Sequence, residues 1–97
     1  MDIICVNATF PHEWVLLYKK YNVVTPELNK IYSIREVIHH TTGKTGIKLN
    51  EIINPKVPEP HPVLGSIMME PSWNLTRFRT LAGDTIKKEE IELINVD

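Results

Sequence analysis

Lys30-Ile31-Tyr32-Ser33-Ile34-Arg35-Glu36-Val37-Ile38 and Gly46-Ile47-Lys48-Leu49-Asn50-Glu51-Ile52-Ile53 are two strand-like runs, and their reading decides the fold. In the first, Tyr32, Ile34 and Ile38 fall on one face, while Ser33 and Arg35 point the other way with Ile31 and Val37. One mostly apolar face and one mixed face are what a strand of a small barrel or curved sheet requires. In the second, Ile47 and Leu49 alternate with Lys48 and Asn50 until Glu51-Ile52-Ile53 breaks the phase. A bulge near Glu51 restores the phase and bends the strand, and closing a small barrel needs such a bend. Between the runs, Gly43 and Gly46 supply positive φ for a hairpin.

A third run, Trp73-Asn74-Leu75-Thr76-Arg77-Phe78-Arg79, completes the core, which Leu81 ends. As a strand it places Arg77 and Arg79 on one side and Phe78 on the other. Two guanidiniums beside Trp73 form a clamp for a phosphate or carboxylate with a surface on which a base can stack. The competing reading pairs one arginine with Glu51 or Glu36 and lays the other along the barrel wall.

Outward from this core, Asp2-Ile3-Ile4-Cys5-Val6-Asn7 has the pattern of a buried N-terminal strand, with Cys5 as a small buried hydrophobe. Thr9-Phe10-Pro11-His12-Glu13 carries helix-start signals, and Trp14, Leu17, Tyr18 and Tyr21 recur at helical spacing, which predicts a helix over Pro11–Tyr21. The competing strand runs through Trp14–Tyr18. Thr25–Asn29 is a turn in which Asn29 can adopt a left-handed conformation. Asn54–Pro62 holds four of the seven prolines and is expected to be an irregular excursion between strands. Val63–Glu70 is expected to be a loop whose apolar residues, Met68 and Met69 among them, form a lid or a contact surface. The segment Asp84–Asp97 suits a helix or an edge strand.

The chain has 97 residues, 42% of them hydrophobic and 24% charged, which fits one globular domain with a core over residues 1–81 and a tail over 82–97. The formal charge of -1 provides no general attraction to nucleic acid or membrane. Residues 1–79 hold nine Lys/Arg against seven Asp/Glu, whereas residues 80–97 hold two against five, so an acidic tail follows a mildly basic body. One cysteine rules out an internal disulfide framework, and no apolar run is long enough for a bilayer span or a signal-peptide core. A cytoplasmic location is the expectation.

Gly43-Lys44-Thr45 invites a phosphate-loop reading but fails on spacing, because the glycine required five residues earlier is Ile38 and no helix follows. His12, His39, His40, His61 and Cys5 show no metal-ligand spacing. No nucleophile, base and orienting group occur together, so the chain is expected to be no enzyme and to carry no cofactor or metal.

The succession Leu28–Glu36, Gly46–Ile52 and Trp73–Leu81 resembles a family of small uncharacterised phage- and prophage-encoded SH3-like proteins. The shared elements are Tyr32-Ser33-Ile34-Arg35-Glu36, then Gly46-Ile47-Lys48-Leu49-Asn50-Glu51-Ile52, then Thr76-Arg77-Phe78-Arg79, covering about half the chain. The resemblance implies a strongly bent antiparallel barrel. The chain departs from that pattern at Asn29, where the family tends to glycine, and at Thr80, where it tends to proline. The Phe10–Tyr21 insert and the acidic tail are further departures. The expected function is a binding module that holds a protein partner or self-associates. Its surface would comprise Arg77, Arg79, Trp73, Glu51, Tyr32 and Arg35 together with Met68 and Met69. The alternative is a phage counter-defence protein, acting in the host cytoplasm, that blocks an immune effector or sequesters a nucleotide second messenger, with a nucleotide or nucleic acid as the candidate non-protein partner.

Overall fold

The structure, a computed structural model, describes residues 1–94. It is mainly β and divides into two compact units. The first comprises residues 1–9, 25–53 and 72 onward; the second comprises 10–24 and 54–71.

The first unit is a five-stranded sheet of β1 (Asp2–Cys5), β2 (Ile31–His39), β3 (Thr45–Leu49), β6 (Trp73–Asn74) and β7 (Phe78–Thr80), in the order β6-β3-β2-β1-β7. All its pairs are antiparallel. The chain passes from β6 at one edge to β7 at the other through a three-residue 3-10 turn, Leu75–Arg77. Four steps across a flat sheet would be roughly 19 Å, yet Asn74 and Phe78 are four residues apart and can be separated by at most about 14 Å. The sheet is therefore strongly bent.

The bend has a local cause on β2. Ile34 pairs with Leu49 and Glu36 with Lys48, which leaves Arg35 as an extra residue. The predicted bulge thus belongs to β2 rather than to the segment around Glu51, since β3 ends at Leu49. The insertion also reverses the phase of β2: Tyr32 and Ile34 are buried before it and Val37 after it, in place of the expected Ile38. Lys48 forms an ion pair with Glu36 at 3.2 Å, directly across this register. Arg35 Nε donates to the Leu49 carbonyl at 3.1 Å, anchoring the bulge. The β2–β3 hairpin forms as expected, with Gly43 at φ +86. Gly46 instead lies in β3, where a Cβ would stand 2.7 Å from Ser72 Oγ and 3.0 Å from His40 Nε2. Its role is close approach, not positive φ.

Ile3, Cys5, Tyr32, Ile34, Val37, Ile47, Leu49, Trp73 and Phe78 fill the interior of this unit. Ile86 and Ile91 are also buried, whereas Leu81 is 55% exposed. The core thus extends past Leu81 into the expected tail, where Lys88–Ile91 forms the short helix α2. Asn95, Val96 and Asp97, the end of the stretch read as helix or strand, lie outside the described residues.

The second unit contains helix α1 (His12–Lys20) and the hairpin of β4 (Val57–His61) and β5 (Gly65–Met69). The predicted helix is present, with Pro11 at its N-cap and no side-chain cap, so Thr9 does not cap it. Glu13 in the first turn and Lys19 and Lys20 in the last complement the helix dipole. Asn22, at φ 57, ends the helix: the Val23 N–H reaches the Tyr18 carbonyl and the Asn22 N–H reaches the Lys19 carbonyl.

The proline-rich segment corrects the expectation of irregular chain, because it forms β4, and Gly65–Met69, expected as loop, forms β5. The reason is the two-residue spacing of Pro58 and Pro60. Pro58 lies opposite Met68 and Pro60 opposite Ser66. Proline has no N–H to give the ladder, so these are the non-hydrogen-bonded positions, and Val57, Glu59 and His61 carry the bonds to β5. The turn is held by His61, whose Nδ1 accepts the N–H groups of Val63 at 3.1 Å and Leu64 at 3.0 Å. Gly65 provides the positive φ, +78, on re-entry.

Asn54 fastens the two segments of this unit. Its Oδ1 accepts the Val24 N–H at 2.8 Å, its Nδ2 donates to the Val24 carbonyl at 2.9 Å, and its own N–H donates to Glu70 Oε2 at 3.0 Å.

Candidate functional site

The three residues expected to form an anion clamp each meet a different environment. Trp73 is 2% exposed on β6, opposite Ile47, and is a core residue without an open face for stacking. Arg77 is not on a strand with Arg79. It closes the 3-10 turn, which Asn74 initiates by accepting the Thr76 N–H at 3.0 Å and the Thr76 hydroxyl at 2.9 Å. The Arg77 guanidinium donates to the Thr9 carbonyl at 2.7 Å and to the Asn7 carbonyl at 3.2 Å, while its own carbonyl accepts the Val6 and Asn7 N–H groups. It is thereby committed to fixing residues 6–9. Arg79 is exposed and donates to Thr85 Oγ1 at 3.2 Å. The shallow hollow at Thr85 is also lined by Asp84 and Glu90, whose carboxylates oppose an anion there, with Lys87 as the cation.

Glu51 does not pair with Arg77 or Arg79, in contrast to the expectation. It accepts the Ser33 N–H at 2.7 Å and the Ser33 hydroxyl at 2.6 Å. The small burial of Glu51 would raise its pKa, but the two Ser33 bonds and the charge of Lys30 outweigh that and hold it below the ordinary carboxylate value. Tyr32 is buried, meets Phe78 edge-on and accepts the Glu27 N–H at 2.8 Å through its hydroxyl. Burial pushes the Cys5 thiol up, against smaller opposing effects of the Asn7 carbonyl and Arg77, so it behaves as the inert hydrophobe expected. Tyr32, Arg35, Glu51, Trp73 and Arg77 thus all serve the architecture of the first unit.

The second unit presents a different surface. Tyr18 is the buried residue of α1, with Phe10 edge-on at 5.8 Å and Trp14, one turn earlier, at 6.1 Å. These contacts hold the Trp14 ring while leaving 40% of the residue exposed. Beside it is an open groove of about 460 Å³, lined by Trp14 and Leu17 from α1 and by Pro58 and Pro60 from β4. Gly65 and Ser66 of β5 complete the wall, and Glu13 and Glu59 supply carboxylates. Among the described residues, neither of these carboxylates has an ion-pair partner. Met68 is 55% exposed on β5 and Met69 is half-buried, while Val63 and Leu64 are exposed at the hairpin turn. The expected contact character of this stretch therefore rests on a strand and its turn.

Such a groove can hold an apolar chain between an indole and two pyrrolidine rings and can accept a cation at its carboxylates. The sequence signals for it are two members of the aromatic stripe that are not fully buried, Trp14 and Leu17, together with Pro58-Glu59-Pro60. The strand that brings them together was hidden in the proline spacing. Among the described residues, no group of three or more His, Cys, Asp and Glu is placed to hold a metal ion. No helix among them is long and apolar enough to cross a membrane. No family model, curated protein or solved structure matches the chain.

Proposed function

We propose that this protein is a non-enzymatic binding module that captures an extended, apolar protein segment carrying a lysine or arginine. The observation that carries this reading is the groove of Trp14, Leu17, Pro58 and Pro60 with the unpaired carboxylates of Glu13 and Glu59. Grooves walled by aromatic and proline rings suit extended and polyproline-type segments, whose backbone is already ordered and whose binding therefore costs little entropy. The two carboxylates choose among such segments by charge, a guanidinium being the strongest match. The bent five-stranded sheet of the first unit supports the reading of an SH3-like scaffold, with the groove residues carried on the Phe10–Tyr21 insert and the proline hairpin.

Selection from a displayed random-peptide library tests the proposal. Enrichment of peptides that combine prolines or apolar residues with a lysine or arginine is the expected result, and Trp14→Ala should abolish their capture. Peptides that bind wild type and Trp14→Ala equally, or a library from which nothing is enriched, would refute it.

A further inference from the structure

The two edges of the β4–β5 hairpin are chemically unlike. Along β4, the outward backbone positions are Pro58 and Pro60, which present carbonyls and no N–H. Along β5, the outward positions are Ser66 and Met68, because their partners Pro60 and Pro58 occupy the non-hydrogen-bonded sites. Ser66 and Met68 are exposed, and among the described residues β5 pairs with β4 alone. Among the described residues, no turn or loop bond reaches their backbone groups. The sequence of β5, Gly65-Ser66-Ile67-Met68-Met69, is also uncharged, so it lacks the lysine or glutamate that commonly guards an open edge.

We infer that β5 is a self-pairing edge, at which two copies of this chain join their hairpins into a four-stranded antiparallel sheet ordered β4-β5-β5-β4. A two-fold axis beside Ile67 sets Ser66 of each copy opposite Met68 of the other. The outward N–H and C=O groups of both residues then form four backbone hydrogen bonds. Identical residues meet near the axis, and the absence of charge on β5 means that no like charges are brought together. Ile67 and Met69 of the two copies form an apolar strip on one face of the new sheet, and Met68 lies on the other. The combined sheet ends on each side at the prolines of β4, which give an incoming strand no N–H. Pairing therefore stops at two, as a closed isologous contact must. This proposal goes beyond the groove and does not depend on it, although a dimer would hold two grooves.

Sedimentation equilibrium of the full chain from micromolar to near-millimolar concentration tests the inference, with hydrogen exchange at Ser66 and Met68 followed over the same range. The expected result is a reversible monomer–dimer equilibrium in which both amides become protected as the dimer forms. Ser66→Pro removes one outward donor without removing a bond to β4, and Met68→Lys places a charge on each copy near the axis. Each should weaken dimerisation at least tenfold while leaving the circular dichroism spectrum unchanged, and Met68→Lys decides the matter if Ser66→Pro perturbs the hairpin. A wild-type chain monomeric throughout would overturn the proposal. So would dimers whose Ser66 and Met68 amides exchange freely, dimers unaffected by Met68→Lys, or assemblies that grow past two.

Discussion

Replacing Asn54 by alanine should loosen the second unit selectively, because its side chain bonds across 30 residues of sequence to the other segment. Asn54 is 9% exposed, and its amide makes both an acceptor bond and a donor bond to the backbone of Val24, at 2.8 and 2.9 Å. Alanine deletes both. Each such bond contributes about 1 kcal/mol net, so the variant should lose roughly 2 kcal/mol. In a domain of this size that lowers Tm by roughly 10 °C if unfolding is cooperative. If the second unit opens by itself, the loss appears instead as about thirtyfold faster exchange at the Val24 amide, with exchange at Ile3 and Ile47 in the first unit unchanged. Asn54→Asp keeps an acceptor for the Val24 N–H but turns a carboxylate oxygen toward the Val24 carbonyl, beside Glu70, so at neutral pH it should be destabilised at least as much as alanine. Thermal unfolding together with native-state hydrogen exchange reads both outcomes. An alanine variant within about 0.3 kcal/mol of wild type, with Val24 protection intact, would refute the assignment of Asn54 as the clasp.

Gly46→Ala should destabilise the chain by about 1–2 kcal/mol, since its Cβ would meet Ser72 Oγ at 2.7 Å and Ser72 Cβ at 3.2 Å. Adding Ser72→Ala should recover part of that loss in chemical denaturation, and no recovery would mean that strain elsewhere dominates. Glu51 has its folded pKa below the ordinary value of 4.5, so its stabilising contribution is complete above that pH and is lost as pH falls through the folded value. Glu51→Gln should flatten stability against pH in that acid window and cost less than about 1 kcal/mol at neutral pH, because the site is exposed. A pH profile identical to that of wild type would contradict the Ser33 contact.

Much of the first unit was legible in local pattern. The alternation around Tyr32 and Ile34, the turn at Gly43 and the left-handed Asn29, at φ 65, are all consequences of short-range sterics and periodicity. The sequence pattern points to a bulge near Glu51, but the phase break in Glu51-Ile52-Ile53 marks the end of β3 and the bulge lies on β2. Its true position, Arg35, is set by pairing with β3, which lies 10 or more residues away and leaves no local mark. Trp73–Arg79 looked continuous because every residue tolerates a strand. The interruption comes from one side chain, Asn74, whose preference for capping the following turn was the available clue.

The site was less legible for a related reason. A run of prolines suggests irregular chain, but at a spacing of two proline bars only one edge of a strand and leaves the other free to pair. Arginines and aromatics attract functional readings, yet Arg77 is used to hold the Asn7 and Thr9 carbonyls and Trp73 to fill the core. The proposed groove is built instead from Trp14 and Leu17 of α1 and from the proline hairpin.

The central claim, a groove for a basic extended segment, is tested most directly by following the two tryptophan indole N–H signals by NMR during titration with a proline- and arginine-containing peptide. The Trp14 indole and the Gly65 and Ser66 amides should shift together and saturate, the Trp73 indole should stay fixed, and Glu13→Gln with Glu59→Gln should weaken binding at least tenfold. Shifts centred on Arg77, Arg79 and β7, with Trp14 unmoved, would contradict the account and return the binding surface to the first unit.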